Sequence, residues 1–352
     1  MPGRDISAAH LQSTQALVIR SRTQVNADLL QNSHLAFIGS TVVGLDHIDQ
    51  QALSKSGVHF YSAQGCNANS VAEYVIHALL LLAETKGFHL AEKTLGIIGV
   101  GQVGKRLQQK AEALGMHCLL NDPPRARLEG DAGFCGLEEA LSADIISVHT
   151  PLTFQGEDAT YHLLNRARIE KLQAEQILVN AARGGIIDEK ALKKKPLCAK
   201  IVDCWENEPI IDRVLLDQAF LATPHIAGHA FEAKVAGSQM VYQALCEFWQ
   251  EPMQEDWRKH LPALPEPFEV KESENTQTAL LEIMQNFYNL QKDDEILRQD
   301  SSQFEAYRRH YPRHHEWPNC RVKETKNQQL NLNLVHLGFQ LTPANSEDIS
   351  SS

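Results

Sequence analysis

No Cys-x-x-Cys pair occurs in this sequence. Its seven cysteines, Cys66, Cys118, Cys135, Cys198, Cys204, Cys246 and Cys320, stand singly and are odd in number. That excludes a zinc-knuckle or a disulfide framework and suits reduced thiols in a cytoplasm. Long apolar runs are also missing: the longest without charge, Tyr74 to Ala83, is half of what a membrane span needs. Basic excess is absent too. With 33 Lys and Arg against 44 Asp and Glu, the net charge is −11, which disfavours nucleic acid or an anionic membrane as partner. There is no internal repeat, and the first ten residues, MPGRDISAAH, lack the apolar core of a signal peptide. These absences lead to the expectation of a soluble, cytoplasmic protein, and 352 residues call for two or three domains.

What is present is alternation. Short apolar runs at 16–22, 35–39 and 58–61 suggest a small α/β unit. SVAEYVIHALLLLAETKG follows from Ser70, read as a helix opened by a Ser70–Glu73 capping box and closed at Gly87. Its nearly all-round hydrophobicity predicts burial between two domains or two subunits. Strand-like TLGIIGV, HCLLND, ADIISVHT, QILVNAA, KIVDC and FLATPH then alternate with helical stretches, which predicts a mostly parallel, doubly wound α/β sheet. A helix over roughly 230–250 comes next. Three prolines within 262–267 mark a linker, TALLEIMQNFYNL reads as one amphipathic helix, and the serine-rich NSEDISSS as a disordered tail.

Gly99, Gly101 and Gly104 form G-x-G-x-x-G between an apolar strand and a helix, the context that gives this motif its meaning. Gly99 permits the tight turn, Gly101 lets a pyrophosphate approach, and Gly104 allows helix to pack on strand. The helix N-terminus, at Gln102 and Val103, supplies N–H groups and partial positive charge. Asp122, at the end of the next strand, can accept from ribose hydroxyls and repel a 2′-phosphate, favouring NAD over NADP; nearby Arg125 weakens that preference.

Three further strand ends carry chemistry. VNAARGGIIDE presents Arg183, DCWENEP presents Asp203, Glu206 and Glu208, and TPHIAGHA presents His225 and His229. Ligands of open α/β sheets bind at the carboxyl ends of the strands, so these loops are expected to converge. A guanidinium can grip a carboxylate with two hydrogen bonds, and an imidazole backed by a carboxylate can take a hydroxyl proton as hydride leaves. Each residue alone also has a plain reading as a solvated loop group. His225 and His229 do not suggest a metal pair, because Pro224 and Gly228 argue against a helix and no third ligand lies nearby.

Taken together, the glycine loop, N-x-x-R-G-x-x-x-D, D-x-W-x-x-E-P and TPHIAG resemble the D-specific 2-hydroxy-acid dehydrogenase superfamily. The finer pattern is similar to its erythronate-4-phosphate dehydrogenase family. It rests on VIRSRTQVN, GLDHID, GCNANSVAEYV, NDPPRA, SVHTPL, and the C-terminal QFEAYRRHY and HEW. The resemblance covers about residues 2–342. It implies NAD-dependent oxidation of 4-phospho-D-erythronate at C2, within pyridoxal phosphate biosynthesis. It also implies a Rossmann-type NAD domain (71–225), a flavodoxin-like substrate domain (1–70 with 226–262) and an α+β dimerisation domain (263–342) making a homodimer, before a tail over 343–352. Arg183, Glu208 and His225 take the catalytic roles; NAD contacts fall on Asp122, Thr150, Ala181, Ala182, Arg183, Asp203 and Gly228; Ser21, with Arg20 beside it, meets the substrate. The chain departs from the family in four places. The first strand and helix are missing before Met1. Val42 replaces a hydroxyl-bearing substrate contact, and His229 replaces a tyrosine. The Arg183–Glu208 interval is about four residues short, with Pro196 in it. Those departures keep two alternatives open: a dehydrogenase for another D-2-hydroxy acid, or a degenerate NAD-binding dimer without turnover.

Overall fold

The computed structural model describes residues 3–253, 261–271 and 275–344. The tail expected as disordered, from Asn345 on, lies outside them. The chain divides into two compact units, residues 1–67 with 229–263 and residues 68–228 with 264–352.

The first unit holds three parallel strands in the order β1 (Ala16–Ile19), β2 (Phe37–Ser40), β3 (His59–Ser62). The Phe231–Trp249 helix lies on this sheet, and two glycines set its approach. A Cβ on Gly39 would come within 2.3 Å of Val241, and one on Gly237 within 2.3 Å of the Thr41 carbonyl. Phe37, Ala63, Val241 and Ala244 close the small core between them.

The second unit is built on six parallel strands: β4 (Thr94–Ile98), β5 (His117–Asn121), β6 (Ile145–Val148), β7 (Ile177–Asn180), β8 (Ala199–Val202) and β9 (Leu221–Ala222). Their order is β5-β4-β6-β7-β8-β9. Successive side chains serve opposite faces. Ile145, Ile177 and Val179 join the core under the Ala68–Lys86 helix, while Ile146, Val148 and Leu178 join the other.

Three details correct the sequence reading. The long helix starts at Ala68, so Ser70 is no cap; its hydroxyl donates to Glu316 Oε1 at 2.5 Å, and Glu73 accepts the Trp317 N–H at 3.1 Å. Both side chains point to the C-terminal segment, which outcompetes the local box. That helix is buried inside one unit, between the Gln102–Ala113 and Thr276–Phe287 helices. Finally, TALLEIMQNFYNL is not one helix. It ends at Phe287, and Asn289 caps a new helix, Leu290–Gln299, by accepting the Lys292 N–H.

The segment after residue 264 packs within the second unit. Leu280, Ile283, Met284 and Leu290 are at most 1% exposed, buried with the long helix. The helices Phe304–Arg309 and Gln328–Leu337 and a parallel pair, β10 (Arg321–Lys323) and β11 (Gln340–Thr342), complete it.

Candidate functional site

The glycine loop leaves β4 with Gly99 at φ 89°, a conformation that disfavours a side chain. A Cβ there would also meet the His149–Thr150 backbone at 2.8 Å. Gly104 lies against the Gly99 carbonyl, which a Cβ would approach to 2.3 Å. Gly101 differs: a Cβ on it meets nothing within 4 Å. Open space above Gly101, next to the start of the Gln102–Ala113 helix with Gln102 and Val103 in its first turn, is a cradle for a pyrophosphate. Thr150 Oγ1 is buried and has no hydrogen-bond partner among the described residues, so it can serve a ligand group. These residues fit a dinucleotide.

Asp122 sits just past β5 and is tied to the same loop. One of its oxygens accepts the Val100 N–H at 2.8 Å and the other the Arg125 N–H at 3.1 Å. The Arg125 guanidinium is engaged by Glu129 and by the Val100 carbonyl and lies over the Phe134 ring. The carboxylate thus borders the loop, with its arginine neighbour already paired.

Loops after β7, β8 and β9 are stitched together by side chains that bond to backbone. Asn180 Nδ2 donates to the carbonyls of Arg183 and Cys204, both at 3.1 Å. A Cβ on Gly184 would fall 1.8 Å from the Trp205 carbonyl, so only glycine lets the arginine loop lie on the Trp205 loop. Trp205 Nε1 in turn donates to the Thr223 carbonyl at 2.9 Å. Asp203 Oδ1 accepts from Thr223 Oγ1 and the Ile226 N–H, both at 2.7 Å, and Oδ2 from the Ala227 N–H at 3.1 Å. Burial pushes the Asp203 carboxyl up, against the pull of His225 and these donors.

This scaffold holds His225 at φ 53°, a left-handed conformation that costs a non-glycine residue about 1–3 kcal/mol. Its ring meets Glu208: Nδ1 lies 2.8 Å from Oε2 and 3.0 Å from Oε1. Glu208 Oε1 also accepts the Trp205 N–H at 2.8 Å. Burial works to raise the Glu208 carboxyl, yet His225, its hydrogen bond, the Trp205 N–H and Arg308 hold it below the usual carboxylate range. An anionic Glu208 facing Nδ1 fixes the tautomer that leaves Nε2 able to accept a proton.

Cys204, Glu208 and His225 bring one potential metal-ligand atom each within 4.8 Å of one another. Glu208 and His225 spend those atoms on each other, and burial pushes the Cys204 thiol well up, against the thiolate a metal needs.

Ala181 and Ala182 are buried just past β7; Arg183 follows, half-buried, and Gly228 ends the third loop. Arg183 Nη1 donates to the Ala182 carbonyl at 2.7 Å. The short interval after it folds as a four-residue helix, Glu189–Leu192. Glu206 lies within 3.1 Å of His162 Nε2, away from the His225 ring's hydrogen bonds. In the first unit, Arg20 and Ser21 are exposed past the end of β1, and Val42 is half-buried past β2. His229, half-buried, precedes the Phe231–Trp249 helix of the same unit.

Sequence reasoning missed Asn180, Gly184, Trp205 and Thr223 as the residues that align the loops. Asn180 and Gly184 lie inside the quoted N-x-x-R-G motif, which offered a signal; Thr223 gave none beyond its place before Pro224.

Comparison with known proteins bears on the family of the chain. Residues 80–227 match the family model described as D-isomer specific 2-hydroxyacid dehydrogenase, NAD binding domain, and residues 264–338 match a domain described only as of unknown function. The erythronate-4-phosphate dehydrogenase of Hydrogenovibrio crunogenus is 53% identical over 97% of this chain and 92% of its own length. That of Ruthia magnifica is 46% identical over 91% of both chains. Among solved structures, an Aquifex aeolicus D-lactate dehydrogenase with NAD and lactic acid has a TM-score of 0.58 at 23% identity. It covers 70% of this chain and 86% of that one, a likeness of fold. The chain belongs to the erythronate-4-phosphate dehydrogenase family, a branch of the NAD-dependent D-isomer specific 2-hydroxy-acid dehydrogenases.

Proposed function

We propose that the chain oxidises the C2 hydroxyl of 4-phospho-D-erythronate, giving (R)-3-hydroxy-2-oxo-4-phosphooxybutanoate, as its named relatives imply. This is a step of pyridoxal phosphate biosynthesis, and the chain's singly spaced cysteines support a reducing cytoplasm as the place for it. No described helix is long and apolar enough to cross a membrane. The observation that carries the reading is the His225–Glu208 pair at the carboxyl edge of a dinucleotide-type sheet.

The glycine loop, Asp122, Thr150, the Ala181–Arg183 turn, Asp203 and Gly228 would hold NAD, which when bound would supply the hydride acceptor. Arg183 grips the substrate carboxylate with a two-pronged hydrogen bond. His225 takes the C2 hydroxyl proton on Nε2, and Glu208 stabilises the imidazolium that results. Arg20 and Ser21 are the residues the family resemblance assigns to substrate binding, Arg20 favouring its phosphate. Val42 offers that substrate no side-chain hydrogen bond; His229 can donate one. The active form is a homodimer joined through the segment beyond 264.

Turnover with NAD is expected on 4-phospho-D-erythronate and much less on unphosphorylated erythronate. Equal rates on the two would favour another 2-hydroxy acid, for which the bare Val42 side chain is the supporting observation. His225→Asn is expected to cost about 10²–10⁴-fold in kcat with NAD affinity unchanged. NAD binding without turnover on any 2-hydroxy acid would leave a degenerate binder.

A further inference from the structure

The segment beyond 264 reaches the catalytic loop. Asp294 Oδ1 accepts the Ala222 N–H at 2.7 Å, using an outward N–H of β9, the sheet's last strand. Arg298, paired with Asp294 at 2.7 Å, donates to the Leu216 and Ala219 carbonyls, both at 2.7 Å, on the chain entering β9. Then Arg308, on the Phe304–Arg309 helix, donates from Nε to the His225 carbonyl at 3.1 Å. Its Nη1 lies 3.3 Å from Glu305, and its guanidinium lies over the Phe304 ring. The strand that delivers His225, and the carbonyl of His225 itself, are thus held from behind by one segment.

This grip matters because His225 is left-handed and not glycine. A peptide in that conformation persists only where its surroundings over-determine it. Asp203 contributes from the front: its carbonyl accepts the His225 N–H at 2.8 Å. Arg308 supplies the opposing bond on the carbonyl side. Without it the peptide can relax, and the ring turns away from Glu208.

We propose that Arg308 is a positioning residue for His225, so that the C-terminal segment serves the acid–base step and not assembly alone. The proposal rests on the reading of His225–Glu208 as the proton-handling pair. Arg308 acts by its hydrogen bond and by its charge, since its cation is among the groups that hold the Glu208 carboxyl down. The other titratable groups about the pair are Asp203 and Cys204 after β8, Arg183 after β7, and Glu189 on the short helix. Of these, the Cys204 thiol also feels the Arg308 cation, which lowers it, but burial pushes that thiol well up and it stays protonated with or without Arg308.

The test uses the full chain with NAD and 4-phospho-D-erythronate, comparing Arg308→Met and Arg308→Lys with the unaltered enzyme across pH. Arg308→Met is expected to lower kcat on the order of tenfold while the dissociation constant for NAD, read by protein fluorescence, stays the same. Oxidation needs the unprotonated imidazole, and losing a nearby cation makes protonation of the pair easier. The rising limb of the pH–rate profile therefore moves to higher pH by about half a unit. Arg308→Lys restores the position of the limb and part of kcat. A variant that merely folds less well loses rate equally at every pH, with the limb unmoved. An unmoved limb in both variants, or unchanged kcat in Arg308→Met, overturns the proposal. His225→Asn is run alongside. If it keeps full turnover, the reading of the pair fails and this inference with it; if it abolishes turnover while Arg308→Met does nothing, only the inference fails.

Discussion

Gly101 and Gly104 stand three residues apart and are glycine for opposite reasons. At Gly104 the protein itself leaves no room, with the Gly99 carbonyl 2.3 Å from where a Cβ would be. At Gly101 the protein leaves the space open, and a bound dinucleotide is expected to fill it. Gly104→Ala is accordingly expected to destabilise the fold by about 1–3 kcal/mol, read as a lower Tm without NAD. Gly101→Ala is expected to leave that Tm alone and weaken NAD binding by tenfold or more, on the order of 1.4 kcal/mol. Equal Tm losses in the two variants would refute the distinction. Asp122 separates charge from shape in a similar way. Asp122→Asn removes the charge expected to repel a 2′-phosphate and keeps one acceptor oxygen, enough for the Val100 N–H or the Arg125 N–H but not for both. The preference for NAD over NADP, measured from kcat/KM for both cofactors, is expected to narrow, with a loss of about 1 kcal/mol of stability for the missing hydrogen bond. Unchanged discrimination would show that Asp122 only shapes the loop.

At the scale of elements, Glu189 shows how the short interval between Arg183 and Glu208 is handled. It opens the four-residue helix, and its Oε1 accepts the Glu206 N–H at 2.7 Å, holding the loop that carries Glu208. Burial raises its carboxyl to about 7, helped by the charges of Glu206, Asp212 and Glu208 and opposed by the Glu206 N–H. An unfolded chain ionises the group near its ordinary value of 4.5. The unfolded state therefore releases the proton first, and stability declines as pH rises from about 4.5 to 7, then levels off. Glu189→Gln keeps the acceptor and cannot ionise. It is expected to flatten the pH dependence of Tm over that window and to gain at most about 3 kcal/mol at pH 8. A decline as steep as that of the unaltered protein would show that other groups carry it. The sequence made the strands legible because each is a short apolar run feeding a polar loop, and it made Arg183, Glu208 and His225 legible because each follows such a run. It could not reveal Gly184 against Trp205 or Thr223 on Asp203, since these depend on how three separate loops are stacked. The Ser70–Glu73 box was misread for the same reason. Its spacing satisfies a local rule, but Glu316 and Trp317, nearly 250 residues on, claim both side chains.

At the scale of the whole molecule, the proposed homodimer requires a surface on which a second copy can join. The apolar stripe of the Thr276–Phe287 region, too large to leave in water, is an attractive interface when read as sequence. The structure buries Leu280, Ile283, Met284 and Leu290 in the chain's own core, so that stripe carries no argument for a dimer. The same segment still presents apolar surface elsewhere. On the Gln328–Leu337 helix, Leu332 is 48% and Val335 53% exposed, and their spacing of three sets them on one side. Leu330, Leu334 and Leu337 of that helix are buried. An outer side with two aliphatic residues, opposite an inner one already packed, is where a second copy of the segment can dock. If the dimer forms there, Leu332→Glu with Val335→Glu places four charges in the contact of two copies. Buried without partners, each costs several kcal/mol. The doubly substituted protein is expected to run as a monomer by light scattering at micromolar concentration, with its Tm in the monomer range near that of the diluted native protein. The native protein is expected to run as a dimer under the same conditions. A native monomer would remove the dimer altogether, and a doubly substituted dimer would move the contact off this helix.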